Sequence, residues 1–295
     1  MRSNKDKVIK IAVSGIIKHP RIPRKFDLLN DGSSDTVVGM GSIVYNVKLG
    51  DSIYGWAADH IEVGVSAFNG KEDEGPAFSI LSCMGNKVRV LSGDAKGAVG
   101  YVCGQHGGVQ HIICNFHEDD LKLMAVDDRL QIEAYGTGLK LLDYPDVLVH
   151  NIDPVMFDNI PIEEKDGKLY IPVAGVIPYS LIGSGFGDTD NIRGRDCDFM
   201  TSEWEAVKEN NLENLKLGDL VIITDLDSSY GRQYKRGAAS VGVIIHGDSK
   251  VAGHGPGIAT FMSSMNRRIE PVLDASSNIK KYYEKTYGEL KPLNV

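Results

Sequence analysis

The residues most capable of chemistry lie near the C-terminal end of the chain, in the stretch SVGVIIHGDSKVAGHGPG (residues 240–257). An apolar, β-branched run ends at His246, and His254 follows in a glycine-rich turn. Neutral imidazole is a metal ligand and a general base near neutral pH, and backbone amides around Gly255 can hold an oxyanion. We therefore predict catalytic roles for both histidines and ligand binding at Gly255. The alternative is that turn carbonyls satisfy both rings.

The preceding apolar run, in DLVIITDLDSSYGRQYKRGAAS (residues 219–240), ends in two carboxylates. Sites are often mounted where a rigid strand gives way to a loop. Pairing with the strand that ends at His246 would place that histidine near Asp227. We predict Asp225 as a metal ligand, Asp227 as a catalytic residue and Arg232 as the anchor for an anionic substrate group.

A glycine loop, IGSGFG (residues 182–187), follows another apolar run. Glycine lacks Cβ, so its backbone can approach a ligand closely. Gly183, Gly185 and Gly187 are therefore predicted to bind a cofactor or ligand. An exposed flexible loop would have the same composition.

Asp196 and Asp198 form a D-x-D pair after that loop. On an extended segment alternate residues share one face, and two carboxylates on one face suit a divalent cation. We predict both as metal ligands. Arg193 and Arg195 could hold a carboxylate or phosphate group.

Three histidines in the N-terminal half complete the candidate ligands. His106 and His111 flank a Gly-Gly turn in GQHGGVQH, and His60 follows Asp59 in DHIEVGVS. Adjacent residues on a strand point to opposite faces, so only one of Asp59 and His60, preferably His60, is expected to serve unless this segment is a loop. We predict His60 and His106 as metal ligands. The alternative is a surface loop around His60 and ordinary turn and strand positions for the others.

The elements that must position these residues are mostly strands. The 33 glycines of the 295-residue chain separate short β-branched runs such as KVRVLSG, HIICNF and SVGVIIHG. Closely spaced strands with turns between them favour barrels or sandwiches. We therefore predict a β-rich α+β fold with two barrel-like or sandwich-like regions and a few short helices, one of them capped by Asp153 before Pro154.

One of these segments, VRVLSGDAKGAVGYVCG, resembles the KOW strand–turn–strand of SH3-like barrels. Such modules bind RNA through basic loop residues, for which Lys87, Arg89 and Lys96 are available here. A net charge of −8 argues against a nucleic-acid partner.

The charged stretch PIEEKDGKLY separates two glycine-punctuated regions and predicts domains at residues 1–160 and 161–295. We expect a cytoplasmic protein, because the sequence shows no signal-peptide core and no apolar run long enough to span a membrane. The four cysteines have no C-x-x-C spacing and are expected to be buried, reduced thiols.

Longer phrases carry a resemblance to a family. DHIEVGVS, LSCMGNKVRVLSGDAKGAVGYVCGQHGGVQHI, GLKLLDYPDVLVHNIDP, IGSGFG and the segment from GDLVIITD to GHGPG are similar to a bacterial and archaeal family catalogued as a domain of unknown function with N- and C-terminal parts. The resemblance covers residues 37–271 and implies a two-part, β-rich fold but no activity. The family's usual Gly-Asp-His-Val-Glu-Pro-like and D-Y-D-like elements differ at residues 58–63 and 196–198, and the His and Asp positions are kept.

From these residues we predict a metal-assisted hydrolase that acts on a small polar substrate and uses zinc, manganese or iron as its ion. Two alternatives stay open, a non-catalytic protein that binds a small anion or metabolite and a KOW-like nucleic-acid module. Under each we expect a homo-oligomer, since glycine-rich β proteins often assemble symmetrically.

Overall fold

The computed structural model describes residues 1–20, 22, 27–36, 41–108, 110–187 and 196–293. Over these ranges the chain is β-rich with short helices, which confirms the predicted fold class. The strands are β1 (Lys10–Ile17), β2 (Asp27–Leu28), β3 (Ser34–Asp35), β4 (Val65–Phe68), β5 (Lys87–Val90), β6 (Val99–His106), β7 (His111–Asn115), β8 (Arg129–Tyr135), β9 (Val147–Val149), β10 (Glu163–Lys165), β11 (Lys168–Val173), β12 (Gly175–Pro178), β13 (Asp196–Asp198), β14 (Leu220–Asp227), β15 (Gln233–His246), β16 (Gly257–Ser264) and β17 (Ile269–Leu273). The α-helices are α1 (Glu74–Leu81), α2 (Glu118–Leu121), α3 (Pro154–Asp158), α4 (Trp204–Glu209) and α5 (Ile279–Tyr287).

The N-terminal half forms a closed six-stranded barrel in the order β1-β4-β7-β6-β5-β8. In β8, buried and more exposed residues alternate, because successive side chains of a strand point to opposite faces. Val65, Ile112 and Ile132 are among the side chains that fill the interior. The segment that resembles a KOW motif supplies β5 and β6, which pair as antiparallel neighbours. Its assignment to the SH3-like type stays a prediction.

The C-terminal half is built on a six-stranded sheet. Five strands follow the order β12-β14-β15-β16-β13, and β9 pairs with β16. Strand β14 and the second half of β15 are largely apolar because both of their faces are covered, whereas β15 begins with four exposed residues. A smaller sheet, β10-β11-β17, lies beside it. The division into two domains near residue 160 stays a prediction, since β9 precedes that boundary and joins the sheet that follows it.

The barrel packs on this sheet through β6 and β15. A Cβ atom at Gly104 would lie 2.5 Å from Cγ2 of Ile245, so only glycine permits the observed approach of the two strands. Cys103 and Ile113 of the barrel belong to the same hydrophobic core as Ile244 and Ile245 of the sheet. This contact brings the last residue of β6 next to the last residue of β15.

Local predictions about caps and cysteines are confirmed. The carboxylate of Asp153 accepts hydrogen bonds from the backbone N–H groups of Val155 and Met156 at the start of α3. All four cysteines are buried, and none forms a disulfide. Within the described ranges, no helix has the length and apolar content needed to cross a membrane.

Candidate metal centre

Six side chains from both halves of the chain converge where β6, β13 and β15 end. The rings of His106 and His246 stack with centroids 4.3 Å apart, and the ring of His60 lies 4.9 Å from that of His246. The ring of His254 lies 5.3 Å from that of His60. We call the set the histidine–aspartate cluster; its members are His60, His106, His246, His254, Asp196 and Asp198.

The sheet register explains why the aspartates meet His246. Strand β16 lies between β13 and β15, and its residue Gly257 is paired with Asp198 on one side and with His246 on the other. A Cβ atom at Gly257 would lie 2.0 Å from Nε2 of His246 and 2.3 Å from Oδ2 of Asp196. Glycine at this position therefore leaves the space in which the imidazole and the carboxylates meet.

Three rings of the cluster donate a hydrogen bond through Nδ1 to an acceptor outside the cluster. His246 donates to the carbonyl of Gly247 at 2.9 Å, His60 donates to Asp59 at 2.5 Å, and His106 donates to Glu62. A neutral ring that donates through Nδ1 carries its lone pair on Nε2. One ring nitrogen from each of the three lies within 4.8 Å of the other two. This arrangement, with outer acceptors fixing the tautomer of inner ligands, is typical of histidine-bound metals.

The two aspartates of the D-x-D pair face the same space. Oδ2 of Asp196 lies 2.8 Å from Nε2 of His246, and its Oδ1 accepts from the backbone N–H of Gly107 at 2.6 Å. Oδ2 of Asp198 lies 3.0 Å from Nδ1 of His254. The prediction that both carboxylates lie on one side is geometrically correct, because β13 is extended and fully buried.

Strong electrostatic coupling accompanies this geometry. Burial alone would lower the pKa of His246, but hydrogen bonds to Asp196 and Asp198 raise that pKa well above its ordinary value. Burial would raise the pKa of Asp198, yet hydrogen bonds from His246, His254 and His60 hold it well below its usual range. Both nitrogens of His246 face acceptors, so the metal-free ring is protonated, and a cation at Nε2 would take the place of that proton.

A buried hydrogen-bond network outside the cluster fixes the ring of His106. Glu62, with a fully buried side chain, also lies 2.7 Å from Nε2 of His111 and accepts from the hydroxyl of Ser66 at 2.6 Å. Nδ1 of His111 in turn lies 3.2 Å from Nζ of Lys18. The sequence analysis gave Glu62 no role, although it lies two residues after His60.

The argument that only one of Asp59 and His60 faces the site does not apply. It assumed a strand, whereas the segment is a loop in which His60 has a φ of 50°. That left-handed conformation lets the carboxylate of Asp59 reach the ring of its neighbour. Asp59 is held in place by the hydroxyl of Ser249 at 3.1 Å and the backbone N–H of Lys250 at 2.8 Å.

Two predicted site residues lie away from the cluster, and the charge of the third, Arg232, acts on Cys197 between the two aspartates. Asp227 pairs with Gln233, the first residue of β15, whereas His246 is the last residue of that 14-residue strand. The prediction that His246 lies near Asp227 is therefore wrong, because antiparallel pairing puts them at opposite ends of β15. Asp225 sits at a bulge and accepts from the backbone N–H of Gly237 at 2.5 Å. Arg232 is buried, and its carbonyl accepts from the N–H of Gly187 at 3.0 Å.

Three of the four predicted ligand-binding glycines serve close backbone packing, whereas a Cβ atom at the fourth, Gly187, would meet nothing within 4 Å. A Cβ atom at Gly183 would lie 2.1 Å from the carbonyl oxygen of Gly253, and one at Gly255 would lie 1.9 Å from that of Phe199. Gly185 approaches the carbonyl of Asp196 in the same way. These contacts hold the loops that carry Asp196, Asp198 and His254 together. The predicted anion-binding residues Arg193 and Arg195 lie outside the described residues.

Comparisons with known proteins identify the family. The model of the N-terminal part of the domain of unknown function DUF4438 matches residues 26–158, and that of its C-terminal part matches residues 159–283. The chain is similar to the solved protein described as "Crystal structure of TM1086", with 43% identity and a TM-score of 0.91 over 96% of this chain and 99% of that one. No match was found among the curated proteins. The resemblance inferred from the sequence is confirmed.

Proposed function

We propose that this chain, which belongs to the DUF4438 family, is a metal-dependent hydrolase that acts on a small polar substrate. One observation carries the proposal. Three histidines donate through Nδ1 to outer acceptors, and their remaining nitrogens converge with two aspartates in one buried space. Such a surplus of lone pairs and carboxylate charge is stabilised best by a bound cation.

The donor set supports a borderline transition-metal ion. Imidazole nitrogen together with carboxylate oxygen suits zinc, iron and manganese, whereas an all-oxygen site would favour calcium or magnesium. The four cysteines do not compete for the ion. None belongs to a described group that could hold a metal, and burial raises the pKa of Cys103 and raises that of Cys197 to about 12.

A cation in this cluster would supply Lewis-acid chemistry by lowering the pKa of a bound water towards about 7 and by polarising a substrate oxygen. The chain's own residues set the access to it. His254 has a side chain 35% exposed, whereas the side chains of His60, His246, Asp196 and Asp198 are at most 8% exposed. A substrate would therefore reach the ion from the side of His254, and the burial of the other ligands favours a small one.

Metal content of the purified protein tests the proposal. We expect near-stoichiometric zinc, manganese or iron by inductively coupled plasma mass spectrometry, and loss of the ion in His246→Ala. His19→Ala, at a 71% exposed side chain, is the control and should keep the ion. Folding of each variant is checked by circular dichroism.

Activity is then measured against a panel of small esters, amides and phosphate esters, before and after chelation. Turnover that is lost on chelation and restored by the same metal supports a hydrolase. A metal-free protein, or metal content equal in wild type and His246→Ala, would contradict the proposal. A metal-loaded protein without turnover would point to the non-catalytic alternative.

A further inference from the structure

We propose that the cluster holds two divalent cations bridged by the carboxylate of Asp198, an inference that rests on the proposed metal-dependent function. The two oxygens of Asp198 face different partners. Oδ2 lies 3.0 Å from Nδ1 of His254 and 3.7 Å from Nε2 of His60. Oδ1 lies 3.6 Å from Nε2 of His246.

The first set of donors has the dimensions of a metal site. Nε2 of His60 and Nδ1 of His254 are 3.3 Å apart, so these nitrogens and Oδ2 of Asp198 form a triangle. A cation about 2.1 Å from each of three such donors separates the donors by about 3.0–3.5 Å, for angles between octahedral and tetrahedral. The observed separations of 3.0 and 3.3 Å lie within this range, and the third, 3.7 Å, is slightly longer.

The second set surrounds the other oxygen of Asp198. Oδ2 of Asp196 lies 2.8 Å from Nε2 of His246, and one oxygen of each aspartate and one nitrogen of His246 lie within 4.8 Å of one another. The ring of His106 stacks on that of His246. Because Nδ1 of His106 is engaged by Glu62, its Nε2 is left as the ligand atom.

The number of donors favours two ions over one. A single cation that used all six groups would be coordinatively saturated and would leave no position for water. Catalytic ions commonly take three protein ligands and keep an open position. His60, His254 and Asp198 would hold one ion with three ligands, and His106, His246, Asp196 and the second oxygen of Asp198 would hold the other with four. Asp198 then bridges the pair, as carboxylates do in centres whose ions lie about 3.5–4 Å apart.

The negative charge of the buried carboxylates also favours two ions over one. Asp59, Glu62, Asp196 and Asp198 place four carboxylates in or directly behind the cluster, all with side chains at most 8% exposed. With neutral histidine ligands, two divalent cations balance these charges, whereas one leaves two in a low-dielectric interior. The ammonium of Lys18 contacts the outer His111.

Metal stoichiometry and electron paramagnetic resonance test the inference on the full chain. The protein is stripped with a chelator, reloaded with Mn²⁺ and freed of excess ion. We expect about two Mn²⁺ per chain with the spectrum of an exchange-coupled pair. His254→Ala should retain about one ion and give an uncoupled spectrum, while His19→Ala should behave as wild type.

The outcomes separate this inference from the proposed function. One Mn²⁺ per wild-type chain overturns the pair and leaves a mononuclear hydrolase standing. Two ions without exchange coupling overturn the bridge by Asp198. No bound metal overturns both proposals. Because the wild-type stoichiometry decides the question, failure of His254→Ala to fold would not rescue the inference.

Discussion

Strands β14, β15 and β16 carry two buried polar groupings, the histidine–aspartate cluster beyond His246 and a serine cluster near the β14–β15 hairpin. In the serine cluster, Ser228 and Ser240 share a hydrogen bond of 2.8 Å. Ser240 donates to the carbonyl of Leu226 at 2.9 Å, and Ser263 donates to Asp227 at 3.4 Å. Every hydroxyl proton thus has an acceptor within the protein.

The histidine–aspartate cluster has the opposite balance, with more acceptors than protons. Its rings already donate outward through Nδ1, and its carboxylates point at the remaining nitrogens. A closed hydroxyl network stabilises a fold and needs no ligand. A converging set of lone pairs and charges needs protons or cations from outside. The comparison shows that burial of polar groups alone does not mark a site; the excess of acceptors over donors does.

Among the substitutions that test this difference between the clusters, Gly257→Ala is expected to have the largest effect on metal affinity. The added methyl group would lie 2.0 Å from Nε2 of His246 and displace it from the aspartates. We expect metal affinity to fall more than about 100-fold, which corresponds to about 2.7 kcal/mol. The measurement is a competitive titration against a zinc chelator.

Gly242→Ala is the matched control, because its Cβ atom would lie 2.6 Å from the side chain of Ile258 in the same sheet but away from the cluster. Both variants should lose stability through overpacking. Equal metal affinities in the two variants would show that Gly257 does not shape the site.

Glu62→Gln should produce the next largest effect. The amide keeps the shape of the side chain but loses the charge that orients His106 and His111. Outer partners of this kind contribute about 10–100-fold to metal affinity, and we expect a loss in that range by the same titration. Unchanged metal affinity would mean that Glu62 stabilises the fold without affecting the metal site.

The two clusters should also differ in their response to pH. The pKa of His246 is raised above its ordinary value of 6.5 in the folded, metal-free protein. Its protonation therefore stabilises the fold fully below about pH 6.5, and this contribution is lost as the pH rises through the folded-state pKa. The pKa of Asp198 is lowered from 3.8, so its contribution is present above about pH 4 and is lost as the pH falls through its folded-state pKa.

Urea unfolding of chelator-treated protein should therefore show falling stability from about pH 6.5 upward, by about 1.4 kcal/mol for each unit by which the pKa is raised. Metal-loaded protein should resist this loss, because the cation replaces the proton. Identical pH profiles for the two forms would argue that no ion occupies the position of that proton.

The smallest effect is expected in the serine cluster. Ser263→Ala removes the acceptor of the Ser228 backbone N–H, a bond of 3.0 Å. We expect a loss of about 1–2 kcal/mol in the free energy of unfolding, measured in urea, with metal content unchanged. A drop in metal content would mean that the two ends of β15 are coupled. It would contradict the conclusion that the serine cluster is independent of the metal site.

Predictions from the sequence succeeded where short segments decide the outcome. The strand that ends at His246, the D-x-D pair with both carboxylates on one face, and the Asp153 cap before Pro154 were all readable. Each depends on backbone preferences and side-chain periodicity within a few residues. The same reasoning left open whether Asp59 and His60 lie on a strand or in a loop, and the structure places them in a loop in which His60 is left-handed.

The sequence by itself determined which residue types were available and which local elements would present them: four histidines and two aspartates at strand ends and in turns, within a β-rich fold. Only the tertiary structure decided that the loop carrying His60 and the end of β6 meet the end of β15, and that Asp227 lies at the far end of that strand. The reason is physical. Strand order and the packing of barrel on sheet result from many small burial contributions distributed over the whole core. These contributions cannot be inferred from the spacing of residues along the chain.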